Sequence, residues 1–107
     1  MIGSIVNVIV DRPLGTYHPK YTDLYYPVNY GYIEGTIAPD GEEQDAYVLG
    51  IYEPVKEFLG KVIAIIHRIN DVEDKWIVVP DNLTLSKSEI MKQVAFQEQY
   101  FETEVRM

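Results

Sequence analysis

"KVIAIIHRINDVEDKWIVVP", residues 61–80, decides the fold. Two runs rich in Val and Ile flank a polar turn, and each is too short and too β-branched to prefer a helix. Read as two strands with Asp71, Glu73 and Asp74 in the turn between them, the segment makes the protein a β structure. "DAYVLGIY" (45–52) is a further strand of the same kind, and "SIVNVIVD" (4–11), bounded by Arg12-Pro13 and Gly15, is another. "TYHPKYTDLYYPVNYGYIEG" (16–35) is rich in turn residues and tyrosines. It reads as a long structured loop leading into a short strand around residues 30–33. Between the strands at 45–52 and 61–68, Pro54 and Gly60 bracket "VKEFL", which is expected to form a single helical turn at most.

The carboxy-terminal segment differs in kind. "SKSEIMKQVAFQEQYFETEV" (86–105) opens with Ser86 and Glu89 at capping-box spacing, and Ile90, Val94, Phe101 and Val105, with Met91 and Ala95, form an apolar stripe at helical period. Five short strands and one amphipathic helix predict a mainly β chain with a carboxy-terminal helix (α+β). The architecture expected is a small, partly closed, OB-like five-stranded barrel with the helix on its side. Residues 1–107 are expected to form a single domain with one hydrophobic core.

Composition narrows the function. Seventeen Asp and Glu against nine Lys and Arg give a formal net charge of -8, which opposes a surface built to neutralise nucleic-acid phosphates. An oligonucleotide-binding role for the barrel is disfavoured accordingly. Cysteine is absent, which removes disulfides, thiolate chemistry and sulfur-rich zinc sites, and fits a cytoplasmic protein. No basic segment precedes an apolar stretch, so no signal peptide is expected. The longest apolar run, around residues 62–66, is too short to span a bilayer.

The acids carry the functional signal. "IAPDGEEQDAYVLG" (37–50) gathers Asp40, Glu42, Glu43 and Asp45 around Gly41 with no nearby Lys or Arg. Like charges this close repel, increasingly so as water is removed, and a cation from solution relieves the repulsion. The loop is not an EF-hand, because its glycine falls at the second position and Ile51 stands where a closing glutamate would be needed. A strand-edge loop can aim Asp40, Glu42 and Asp45 at one point. All-oxygen donors without histidine suit Mg²⁺ or Mn²⁺. Asp71 and Glu73 in the second acidic turn can meet them at one rim, with Lys75 available for a phosphate. Each acidic turn taken alone is equally what a solvated hairpin tip looks like. Tyr30 belongs to "YPVNYGY", whose alternation aims Tyr26, Val28, Tyr30 and Tyr32 to one side. A phenol hydroxyl there can donate to a phosphate oxygen without competing for metal. His18 and His67 are isolated in the sequence.

Taken in order, "VDR" (10–12), "YPVNYGYI" (26–33), "DGEEQD" (40–45) and "EDK" (73–75) resemble the soluble, magnesium-dependent inorganic pyrophosphatases of the OB-like barrel type. The similarity covers residues 10–80 and, more weakly, the helix around "FQEQYF". It implies hydrolysis of inorganic pyrophosphate, a Mg²⁺ cofactor and a homo-oligomer. By the same resemblance Asp40, Asp45, Asp71 and Glu73 match metal carboxylates, with Asp45 bridging two ions. Glu42 stands where the family has an aspartate that helps activate the attacking water. Arg12, Tyr30, Lys75 and Tyr100 match groups that hold the phosphates. Five departures accompany it. The family's segment before the "VDR" strand, with its catalytic lysine, is expected to have no counterpart. Phe101 follows Tyr100 where a phosphate-binding lysine is usual. Glu42 replaces an aspartate and Gln44 an aliphatic residue. The long loop 14–25 brings His18 and Lys20, which are expected to substitute for the lost cations. The reading from another class is a module that binds metal and phosphate, or a phosphorylated metabolite, without catalysis.

Overall fold

Gly31 marks a very tight crossing, because a Cβ there would lie 1.9 Å from the Ile9 carbonyl oxygen, nearer than at any other glycine described. Only glycine lets the two strands that carry these residues approach so closely. They are β1 (Ile5–Arg12) and β2 (Asn29–Ile33). The computed structural model describes residues 2–71 and 73–107. Among these the chain continues through β3 (Gln44–Val48), β4 (Glu57–Arg68), β5 (Asp74–Val79), α1 (Lys87–Glu98) and β6 (Thr103–Arg106).

The strands close on themselves. β1 pairs with β2, β2 with β3, β3 with β5, β5 with β4 and β4 with β1, so the first five strands form a complete barrel. All of these pairings are antiparallel except β3 with β5, where Ala46 lies opposite Trp76. The expected five-stranded barrel with a helix on its side is therefore what forms, fully closed. Closure leaves a free edge only where β4 runs on beyond its pairing with β1.

Two apolar clusters hold it. Val8, Val10, Ile33, Ala46, Val48, Val62 and Val78, one or two from each barrel strand, fill the interior. Tyr47, Leu49, Ala64, Ile66, Ile77 and Val79 point outward and are covered by Ile90 and Val94 of α1. Strict alternation would put Val62 and Ala64 on one face. The irregularity in the β4–β5 register between them switches faces, so one long strand serves both clusters. Each fully buried Val, Leu or Ile contributes about 1.5–3 kcal/mol relative to exposure.

Two expectations need correction. "VKEFL" is not a helical turn, since residues 57–59 are the start of β4 and pair with β1. The backbone bonds of this segment complete barrel closure, and that outweighs local preference. The helix also stops at Glu98, so Phe101 and Val105 leave the stripe. Residues 65–68 of β4 run beyond β1, and β6 pairs with them, Val105 opposite Ile66. An exposed strand edge with unmade hydrogen bonds competes for these residues more strongly than another helical turn.

Candidate active site

Asn29 is the buried anchor of the tyrosine motif. Its Oδ1 accepts from the backbone N–H of Leu14 (2.9 Å) and Val55 (3.2 Å), and its Nδ2 donates to the Glu53 carbonyl (2.9 Å). One side chain thus ties the start of the long loop and the 53–55 connector to β2. The loop folds back on itself, with Gly15 and Tyr26, Thr16 and Tyr26, and His18 and Leu24 joined by backbone bonds. It forms one wall of a cavity of about 690 Å³.

Arg12 from β1, Tyr30 from β2, Asp45 from β3, Arg68 from β4, Lys75 from β5 and Tyr100 beyond α1 all line this cavity. The parallel pairing of β3 with β5 brings Asp45 and Lys75 together, and Lys75 Nζ donates to Asp45 Oδ2 at 2.5 Å. Glu73 takes Lys75 at 3.6 Å and Arg68 at 2.9 Å. Lys75 Nζ lies 5.7 Å from the Tyr30 ring centre. Burial and then neighbouring Asp45 push the Tyr30 hydroxyl far up, so it stays a neutral donor. Asp11, also in the lining, is pushed up by burial; Arg12 opposes that and Asp45 adds to it. Arg12 Nε is buried and has no hydrogen-bond partner. A buried donor left so costs about 1–3 kcal/mol, which an anion in the cavity would recover.

Of the expected site residues, Arg12, Tyr30, Asp45, Lys75 and Tyr100 come together here. Asp40 and Glu73 meet Asp45 at a small adjoining crevice, so Asp45 links the two. Glu42 and Asp71 line neither. Glu42 is exposed on the turn, its N–H bonded to Asp40 Oδ1 (3.0 Å), and the Asp71 N–H bonds to the Arg68 carbonyl (3.2 Å). Lys20 is exposed, 5.6 Å from the Tyr21 ring centre, outside the lining. His18 lines the cavity, but its Nδ1 accepts from the N–H of Lys20 and Tyr21. A ring nitrogen that accepts carries no proton, and burial, Arg12 and Lys20 all lower the His18 pKa. The cationic role expected of His18 is thus opposed by its own loop. His67 pairs with Asp74 at 2.7 Å.

Sequence reasoning missed Arg68, Asp11 and Glu98. Arg68 closes "KVIAIIHR", where strand periodicity hides it. Glu98 sits within a helix as an ordinary polar residue, and only the fold turns it inward.

The lining holds three cations (Arg12, Arg68, Lys75) against three aspartates (Asp11, Asp23, Asp45), and Glu73 and Glu98 sit on Arg68. A polyanion therefore enters a site with no surplus positive charge of its own. Among the described residues no three acid or histidine side chains converge as a ready-made metal site. The donors present are nonetheless all carboxylate oxygens, the chemistry that hard divalent ions take.

A family model for inorganic pyrophosphatase matches residues 7–104. The chain belongs to the inorganic pyrophosphatase family. This family is generally metal-dependent. The chain is 41% identical over 79 residues to the inorganic pyrophosphatase of Saccharolobus solfataricus, covering 70% of this chain and 42% of that protein. It is 34% identical over 65 residues to that of Sulfolobus acidocaldarius, covering 47% and 38%. The chain thus spans about two-fifths of the length of these relatives. Inorganic pyrophosphatase structures share the fold. That from Ehrlichia chaffeensis superposes with a TM-score of 0.71 at 21% identity over 97% of this chain and 85% of that one. That from Coxiella burnetii gives 0.68 at 19% identity over 98% and 85%. No helix among the described residues is long and apolar enough to cross a membrane.

Proposed function

We propose that this pyrophosphatase-family chain hydrolyses inorganic pyrophosphate to two phosphates, using Mg²⁺ and accepting Mn²⁺. The observation that carries the reading is the cavity itself. Arg12, with its buried unpartnered Nε, and Lys75 face carboxylates from two strands and the long loop in a chain whose family is defined by this chemistry.

In this reading Asp40, Asp45 and Glu73 at the crevice would hold the divalent ions, with Asp71 from the neighbouring turn completing the set. Bound ions supply charge neutralisation and activation of the attacking water. Arg12 grips a phosphoryl group with its planar fork, and Lys75 adds a point charge once a ligand draws it from Asp45. Tyr30, kept protonated, donates to a phosphoryl oxygen, and Tyr100 contacts substrate from the open side; Lys20, exposed outside the lining, joins them only if its loop moves inward. Glu42, on the exposed turn beside Asp40, is the carboxylate assigned to take a proton from the water as its oxygen adds to one phosphorus and the bridging P–O bond breaks. The absence of cysteine supports a cytoplasmic setting, and exposed Tyr17, Tyr21, Tyr25 and Tyr52 support a homo-oligomer.

A non-catalytic binder of metal and phosphate is the second reading. The observation favouring it is that Asp45 and Glu73 are already satisfied by Lys75 and Arg68. Colorimetric phosphate release from pyrophosphate with Mg²⁺ or Mn²⁺ separates the two. Turnover by the wild type, reduced ~100-fold or more in Asp45→Asn, is the expected result. Binding of pyrophosphate without release establishes the binder, and no binding at all removes both readings.

A further inference from the structure

Among the described residues Arg68 is the most heavily constrained cation. Its Nε donates to Glu98 Oε1 (3.0 Å) and one terminal nitrogen to Glu98 Oε2 (2.8 Å), a two-pronged grip by a side chain with no exposed surface. The other terminal nitrogen donates to Glu73 (2.9 Å). The guanidinium carbon lies 3.7 Å from the centre of the Phe101 ring. Behind Glu98 stands a further tier. Tyr47 donates to Glu98 Oε2 (2.6 Å), Gln97 Nε2 donates to the Tyr47 hydroxyl (2.7 Å), and Tyr26 donates to Gln97 Oε1 (3.0 Å).

A surface ion pair needs none of this. A bidentate carboxylate and an aromatic face together fix both the plane and the rotation of a guanidinium. The fixed group is then turned to the cavity, since Arg68, Gln97 and Phe101 all line it. Three of its five N–H groups are taken by the two glutamates, so each terminal nitrogen keeps one more to offer.

We infer that Arg68 is a further substrate-binding residue, donating from its terminal nitrogens to a phosphoryl oxygen, and that Glu98 is the residue that positions it. The inference rests on the proposed phosphate chemistry of the cavity and adds a contact to it. It also answers the charge question raised by the loop. Lys20 lies outside the lining, whereas Arg68 supplies a third cation within it. Phe101, which follows Tyr100, adds no charge but holds Arg68 in plane.

The test reads binding on the wild type first. In a ¹H–¹⁵N titration of the side-chain guanidinium signals with pyrophosphate and Mg²⁺, the Arg68 resonances, assigned through Arg68→Lys, shift saturably, while those of exposed Arg106 do not. Arg68→Lys, which keeps the charge but loses the fork, is expected to raise the Kd for pyrophosphate ~10-fold or more and KM with it. Its circular dichroism remains that of the wild type. Glu98→Gln frees one prong and raises KM in the same direction, and Glu98→Asp partly restores it. Arg68 signals that stay fixed at saturation, or a folded Arg68→Lys with wild-type affinity, overturn the inference while leaving the proposed function standing. A wild type that binds no pyrophosphate overturns both.

Discussion

A carboxylate with no exposed surface depends on its donors. Burial pushes Glu98 up, but hydrogen bonds from Arg68 and Tyr47 and the charge of Arg68 outweigh it, so its pKa lies below the ordinary value. A lowered acid contributes stability that is present above its unfolded value, about 4.3, and is lost as pH falls through the folded one. Tyr47→Phe removes one donor and leaves Gln97 Nε2 without its acceptor. It is expected to cost about 1.5–3 kcal/mol at pH 7, because the lost bond is to a charged group. Since Glu98 is then lowered less, the acid limb moves to higher pH. Urea unfolding of both proteins across pH 2–7 measures the shift. Superposable acid limbs would place the sensitivity in some other carboxylate.

Helix α1 shows how an element's ends serve the site. Ser86 Oγ accepts from the Glu89 N–H, and the Glu89 carboxylate accepts from the Ser86 N–H, closing the capping box legible in the sequence. At the far end of the same helix stand Gln97 and Glu98. Ser86→Ala is expected to lower stability by about 1 kcal/mol. Pyrophosphate affinity stays at the wild-type value, because three turns of buried contact separate cap from site. Denaturant midpoints set beside binding isotherms check this, and a fall in affinity at unchanged stability would contradict it. The five barrel strands and the cap were readable because each rests on local pattern: β-branching, turn residues, a serine three before a glutamate. β6 was not, because "FETEV" becomes a strand only where β4 runs past β1 and leaves bonds to be made. The candidate site divides in the same way. Arg12, Tyr30, Asp45 and Lys75 lie in short motifs, whereas Arg68 and Glu98 acquire meaning only from the pairing of β4 with its neighbours and the seating of α1.

At the scale of the molecule, charge dominates. A net charge of -8 on 107 residues, with carboxylates from two loops around one rim, makes the folded state repel itself. A ligand bound only by the folded state adds RT ln(1 + [L]/Kd), about 2.7 kcal/mol at one hundred times Kd. For a domain of this size that corresponds to ~10 °C or more in Tm. Saturating Mg²⁺ is therefore expected to raise the Tm of the wild type well above that of Asp45→Asn. Thermal scans with and without the ion compare them, and equal shifts would mean diffuse screening in place of a site.

The parallel pairing of β3 with β5 has a consequence in time. No hairpin can make it, since β4 lies between the two strands in sequence and must cross from one side to the other first. Asp45 and Lys75, thirty residues apart, meet only when that crossing is complete. Local hairpins such as β2–β3 and β4–β5 can form early, but the ring joins late, and long-range closure of this sort slows β proteins to milliseconds or seconds, an order-of-magnitude range. A chain newly leaving the ribosome thus carries every acid and base of the site without having the site. On the proposed reading, a capacity for phosphate waits on the last rung of the barrel.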